Sequence, residues 1–170
     1  MATQTVVPPT PEEHAKRFRE THQGKGLSDK EIDDICASIL RSKPKLTESR
    51  ADYYKMNIMS FVFYLNITVN MRTYSSPPDL SKHFVGNAGG WATPGDSFFQ
   101  AAELYACDGY TFNDIFTKQT AFEVDSEYIV CFVRFYDKDR HLLGWLWGAG
   151  AGTVVGIASG TGEWKDGWLS

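Results

Sequence analysis

The sequence predicts a mainly β protein: a glycine-rich antiparallel β domain over residues 53–168, a helical arm over residues 10–50, and a lead over residues 1–9. Three observations predict it. Apolar residues recur at helical spacing before residue 50 and at every second position after Asn57. Two Ser/Thr-x-x-Glu boxes stand directly before the helical stretches. Glycines are abundant and fall between and within the later apolar runs, where sheets turn and bend.

Residues 1–9 are apolar, proline-bearing and aperiodic, and read as a disordered lead. Thr10 then caps a helix, with Pro11 at its first position and Glu13 reaching back. This helix carries His14, Arg17 and Phe18 and should stop at Gly24 or Gly26. Ser28 and Glu31 form the second box, followed by Ile32, Ile35, Cys36, Ile39 and Leu40 as an amphipathic stripe that ends by Pro44. That stripe needs cover, from the β domain or from a partner.

After Asn57 one set points one way: Met59, Phe61, Phe63, Leu65, Ile67, Val69 and Met71. Ser60, Tyr64, Asn66, Thr68, Asn70 and Arg72 point the other way, which reads as one long half-buried strand, bent or bulged midway. Residues 75–79 break it, and residues 86–95 read as a turn cluster. Residues 97–106 read as a strand ending at an Asp108-Gly109 turn, 112–118 as a helical turn or loop, and 120–124 as a short strand. Residues 127–136 are apolar on both faces, so one face needs more than solvent over it, as the arm helices would provide. A hairpin loop at 137–140 leads into a strand at 141–147, and 148–164 reads as a final strand of small residues around Val154, Val155 and Ile157.

At 170 residues the chain can bury a core without disulfides or metals. Its net charge is −4, with 10 basic and 9 acidic residues before Met56 and 7 and 12 after it. No basic stripe is present, which argues against nucleic acid, and no polybasic cluster is present to hold an anionic membrane. The three cysteines, Cys36, Cys107 and Cys131, have neither disulfide nor zinc spacing and are expected as reduced thiols. The first residues lack the charge and apolar run of a signal peptide, and no apolar run is long enough for a membrane helix. The expected location on these grounds is cytoplasmic, with secretion by another route left open.

No motif carries chemistry on its own. The Gly148–Gly152 alternation precedes β-branched residues rather than a helix, so it suits a crowded sheet better than a phosphate. The residues around Ser159 lack the nucleophile-elbow spacing. His14, His22, His83 and His141 are scattered, no pair lies four apart on a helix, and neither a metal nor a cofactor is expected. Cys131 sits within apolar alternation, as an inert core thiol does. Asn66-Ile67-Thr68 matches a glycosylation acceptor, which has no consequence off the secretory route. For acid–base work the candidates are Tyr64, Glu103, Asp114, Tyr128 and His141, each with a solvated-loop or core role as the plainer reading. Trp91, Trp145, Trp147 and Trp164 could line a rim that holds a sugar, lipid or aromatic ligand, or serve as core pillars and end plugs, and Trp168 lies near the last of them.

Two regions carry a resemblance. Asn87-Ala88-Gly89-Gly90-Trp91-Ala92-Thr93-Pro94-Gly95 resembles the glycine turn of the virulence-associated proteins (Vap family) of rhodococci. Val133-Arg134-Phe135-Tyr136-Asp137, then Leu142-Leu143-Gly144, is similar to that family's strand and hairpin. Gly152-Thr153-Val154-Val155-Gly156, with Gly160-Thr161-Gly162-Glu163-Trp164, resembles its closing strand. The resemblance implies a closed eight-stranded antiparallel barrel with a packed interior and a short helix. It also implies secreted proteins that act at host endolysosomal membranes and are not known as enzymes.

Two classes of function follow. One is a non-catalytic binding module acting on a lipid surface, a small amphiphile or a protein partner, with Ile32, Ile35, Ile39 and Leu40 available for a partner or self-association. The other is a cofactor-independent cyclase or isomerase that shapes a hydrophobic substrate inside the barrel.

Overall fold

The computed structural model describes residues 10–44, 53–73, 80–127 and 129–169. The lead and Tyr128 lie outside them. Helices α1 (Pro11–His22) and α2 (Asp29–Leu40) open the chain, each with the reciprocal capping box expected at Thr10–Glu13 and Ser28–Glu31. The β1 bridge (Lys43–Pro44) pairs with the end of β5. Eight longer strands follow: β2 (Tyr53–Ser60), β3 (Tyr64–Thr73), β4 (Leu80–Ala92), β5 (Gly95–Ala106), β6 (Ala121–Ser126), β7 (Val130–Tyr136), β8 (Leu142–Gly152) and β9 (Gly156–Asp166). Helix α3 (Phe112–Lys118) lies between β5 and β6.

These eight strands run antiparallel in the ring β2-β3-β4-β9-β6-β7-β8-β5, closed by pairing of β5 with β2. The interior is filled by alternate residues: Met56 and Ile58, Leu65, Ile67 and Val69, Phe84, Phe99, Phe122, Cys131, Val133, Phe135 and Leu146. Gly86 has no room for a methyl group, because a Cβ there would stand 2.5 Å from the Phe122 ring and 2.8 Å from the Phe84 ring. Both ends are sealed. At one end α3 lays Ile115 into the core, and Phe116 packs edge-on to Trp164 at 5.0 Å. At the other, the β8–β9 turn folds Val154 inward, its N–H held by Ser97 Oγ at 3.0 Å and its C=O by Ser126 Oγ at 3.0 Å.

Three local expectations are corrected. The long strand after Asn57 is a hairpin: Phe61 N–H donates to Tyr64 C=O at 2.8 Å, and Ser60 pairs with Leu65. The turn has no glycine or asparagine to announce it, and pairing inverts the inward parity, so Met56 and Ile58 point in while Met59 points out. Residues 86–92 belong to β4 rather than to a turn cluster. Their glycines allow close approach instead, since a Cβ on Gly90 would stand 2.4 Å from Ile157 C=O. Residues 148–164 are two strands, joined by the Val154 turn.

The second face of β7 is covered as its sequence requires. Phe132, with Tyr105, Leu142, Trp145, Trp147 and Ala149, packs outside the barrel against Ala15, Phe18, Ile32, Cys36 and Ile39 of the two arm helices. Trp145 also donates from Nε1 to Ser42 Oγ at 3.0 Å, just beyond α2. Ile32 and Ile39 are therefore spent on the barrel, Ile35 is half-buried against the same cluster, and Leu40 stays exposed.

Candidate functional site

The structure scatters the residues singled out from the sequence. Trp164 lies in the core, and Trp145 and Trp147 lie under the arm, with Trp145 stacked on Tyr105 at 4.1 Å. Trp91 alone of these four is exposed, at 59 %. Tyr64 donates to Asn87 Oδ1 at 2.5 Å on the outer wall. Glu103 accepts from Tyr105 at 3.0 Å, and burial with the neighbouring Glu103 charge pushes the Tyr105 hydroxyl up to about 12. Asp114 caps α3 and pairs with Lys118 at 3.0 Å; the cap's backbone bond, then Lys118, holds its carboxyl below the usual range. His141 is exposed and meets Asp137 at 3.2 Å within its own hairpin. Among the described residues no hydrogen bond or ion pair joins any two of Tyr64, Glu103, Asp114 and His141.

Asp137, Asp139 and His141 do lie within 4.8 Å of one another. The Asp137 carboxylate already accepts the N–H groups of Asp139 and His141, each at 2.9 Å, so its geometry serves the turn. The two clefts described both lie outside the barrel. A small one, about 320 Å³, sits on the outer wall by Lys55, Asn70, Phe98 and Trp168. A larger open one, about 890 Å³, runs between the arm and the barrel past Leu27, Ile35, Tyr110, Glu123 and Arg140.

The least ordinary surface is the tip of the β2–β3 hairpin. Phe61 and Phe63 are 61 % and 72 % exposed, and Met59 and Tyr64 are about half exposed beside them. Between the two phenylalanines, Val62 has φ +75°, and Phe63 N–H donates back to Phe61 C=O at 3.0 Å. That is the bonding of a tight γ-turn, whose positive-φ form is strained and unfavourable for a β-branched residue. The tip is fixed to the end of β4: Ala92 N–H donates to Val62 C=O at 3.0 Å, which puts Trp91 beside the hairpin. Thus Phe61, Phe63 and Trp91 form an aromatic rim at one end of the barrel. Behind it the outward positions Asn57, Asn66, Thr68 and Asn87 are uncharged, and beside Met59 the exposed Asp96 of β5 is acidic.

A second arrangement escaped the sequence, because it joins the arm to β6 and β7. Arg134, on the outward face of β7, is fully buried. Its guanidinium donates to Glu123 at 2.5 Å, to Asp125 at 3.5 Å and to His14 Nε2 at 3.2 Å, and lies 4.8 Å over the Phe18 ring. Arg17 of α1 binds Asp125 through two nitrogens, at 2.6 and 3.0 Å, and Glu127 at 2.5 Å. His22 meets Glu123 at 3.0 Å. His14 is fully buried, stacked on Phe132 at 4.5 Å and 4.2 Å from the Trp145 ring. Burial first, then the Arg134 and Arg17 charges, holds His14 well below the usual histidine value. The available signals were an arginine within apolar alternation on β7 and the shared helix face of His14, Arg17 and Phe18.

All three cysteines are free and buried, and burial raises each thiol, Cys107 to about 12. No helix among the described residues is long and apolar enough to cross a membrane.

The comparisons with known proteins agree with this geometry. The fold is similar to virulence-associated protein VapD of the intracellular pathogen Rhodococcus equi, with TM-score 0.59, 23 % identity, 74 % of this chain and 99 % of that chain covered. It is similar to VapB of the same organism, with TM-score 0.55, 23 % identity, and coverage of 69 % and 98 %. No curated protein sequence matches. The sequence pattern of the family described as Rhodococcus equi virulence-associated protein matches residues 4–165. Nearly the whole chain, arm included, thus fits that pattern, and the protein belongs to the Rhodococcus equi virulence-associated protein family.

Proposed function

We propose that the protein is a binding module that docks on a lipid surface through the aromatic rim of Phe61, Phe63 and Trp91. The observation that carries this reading is the exposure of two phenylalanines on a strained turn, tied by a backbone hydrogen bond beside an exposed tryptophan. Aromatic side chains of this kind settle at the boundary between headgroups and acyl chains. The uncharged positions behind the rim, with the acidic Asp96 beside Met59, favour a zwitterionic surface over an anionic one. The alternative of a cyclase or isomerase working inside the barrel needs interior room. Phe84, Phe99, Phe122 and Phe135 occupy that space, which supports the binding reading.

The test uses the full chain with phosphatidylcholine vesicles brominated in the acyl chains. Bromine quenches tryptophan at short range, and Trp91 is the exposed reporter: Trp145, Trp147 and Trp164 are buried, and the half-buried Trp168 follows the end of β9 away from Trp91. The expected result is quenching that salt leaves unchanged and that Trp91→Phe abolishes. A phenylalanine offers roughly 200 Å². Burying half of what Phe63 exposes is then worth about 1.8 kcal/mol at ~25 cal/mol/Å², so Phe63→Ser should weaken binding about twentyfold. Equal vesicle binding by wild type and the Phe61→Ser, Phe63→Ser double variant would overturn the proposal.

A further inference from the structure

The arm is held to the barrel by a buried contact that works in one protonation state only. Arginine always donates, so the Arg134 Nε–H to His14 Nε2 bond at 3.2 Å requires an unprotonated Nε2. The imidazole is therefore neutral, with its proton on Nδ1, and that buried Nδ1 has no partner. Charged and titratable groups surround it on the elements packed there. They are Arg17 on α1 and Arg134 on β7, with Cys36 of α2 in the adjoining cluster and, bonded to the two arginines, Glu123 and Asp125 on β6 and Glu127 just beyond it. β8 contributes the Trp145 indole. The carboxylates are already taken up by the two arginines. A proton on Nε2 would turn the acceptor into a donor aimed at Arg134 and place a third cation between arginines without solvent. His22, by contrast, faces a carboxylate, with Glu123 at 3.0 Å.

We propose that residues 10–42 form a proton-operated cover: as His14 takes up a proton, α1 and α2 leave the barrel and uncover the Phe132, Trp145 and Trp147 face. The cover stays closed while His14 is neutral. Because the docked His14 resists protonation and the released one does not, docking is fully favoured above pH ~6.5 and is lost as pH falls below it. One proton per release gives about tenfold more open arm per pH unit below ~6.5, until the docked histidine itself titrates.

Hydrogen exchange on the full chain tests this, with amide protection in α1, α2 and the strands compared between pH 7.5 and 5.5 after correction for intrinsic rates. The expected result is about tenfold loss of protection in α1 and α2 at pH 5.5 with β2, β3 and β4 unchanged. Limited proteolysis should cut within the arm under the same conditions. His14→Gln keeps an acceptor for Arg134 without titrating in this range, and its arm should stay protected at pH 5.5. His22→Gln should not stabilise the arm at pH 5.5. If His14→Gln fails to fold, the wild-type comparison still decides: arm protection equal at both pH values, or strands loosened as much as the arm, overturns the proposal. An imidazole NMR titration of His14 with the ordinary value in the docked state would overturn it as well.

Discussion

Replacing Arg134 by methionine should destabilise the protein by about 3 kcal/mol, at the lower end of the ~3–5 kcal/mol for removing one partner of a buried ion pair. The lower end follows from the contacts. Methionine fills much of the space of the arginine stem, and the two carboxylates keep other partners, Asp125 with Arg17 and Glu123 with His22. What is lost is three hydrogen bonds from a fully buried guanidinium and its stacking on Phe18. Urea unfolding at pH 7, followed by tryptophan emission, measures the effect. With a slope of about 2 kcal/mol/M, the midpoint should fall by about 1.5 M. A melting temperature should fall by roughly 6–12 °C. The emission of Trp145 adds a local reading, because its indole lies under the arm. An R134M midpoint within about 0.3 M of wild type, at unchanged slope, would show that the cluster contributes little and that apolar packing alone holds the arm.

The remaining predictions concern the interior. Gly86→Ala places a methyl group against the Phe122 and Phe84 rings, which are packed edge-to-face at 5.2 Å, and should cost about 1–3 kcal/mol by overpacking, read as a lowered melting temperature. An unchanged melting temperature would mean that the interior has slack. The three thiols should react slowly with a disulfide reagent in the native state at pH 8, because burial raises each of them, and rapidly at three per chain in denaturant. Fast reaction of one native thiol would instead mark a nucleophile.

How much was legible depended on how local each signal was. The two capping boxes could be read because both partners of each box lie within three residues. The apolar faces of β7 could be read because alternation is a property of one strand, and they demanded a cover that the arm stripe supplies. The β2–β3 hairpin could not be read, because a valine stands where turn chemistry asks for glycine or asparagine, so the alternation runs through it without a break. The glycines of β4 were misread as turns for the converse reason. A missing Cβ is a local fact, but the neighbours that require it, Phe122 and Ile157, lie on other strands. The His14–Arg134 contact spans 120 positions, and no window shorter than the fold contains it.

Two of the places where the chain departs from local rules lie outside the barrel interior. Val62 adopts a positive φ between two bare phenylalanines, and His14 sits buried with an orphaned nitrogen between two arginines. Capping, alternation and core packing largely agree with one another along the chain, and local conflicts amid such agreement are where function is sought first. Among the described residues side chains fill the barrel interior, which fits an activity presented on the wall or at the rim. The ring order places the β2–β3 hairpin and the β6–β7 pair four strands apart, on opposite sides of the barrel. Docking through Phe61, Phe63 and Trp91 would therefore leave the arm free to move, and release of the arm would leave the rim intact. The two devices are thus geometrically independent, so a variant of one should leave the readout of the other unchanged.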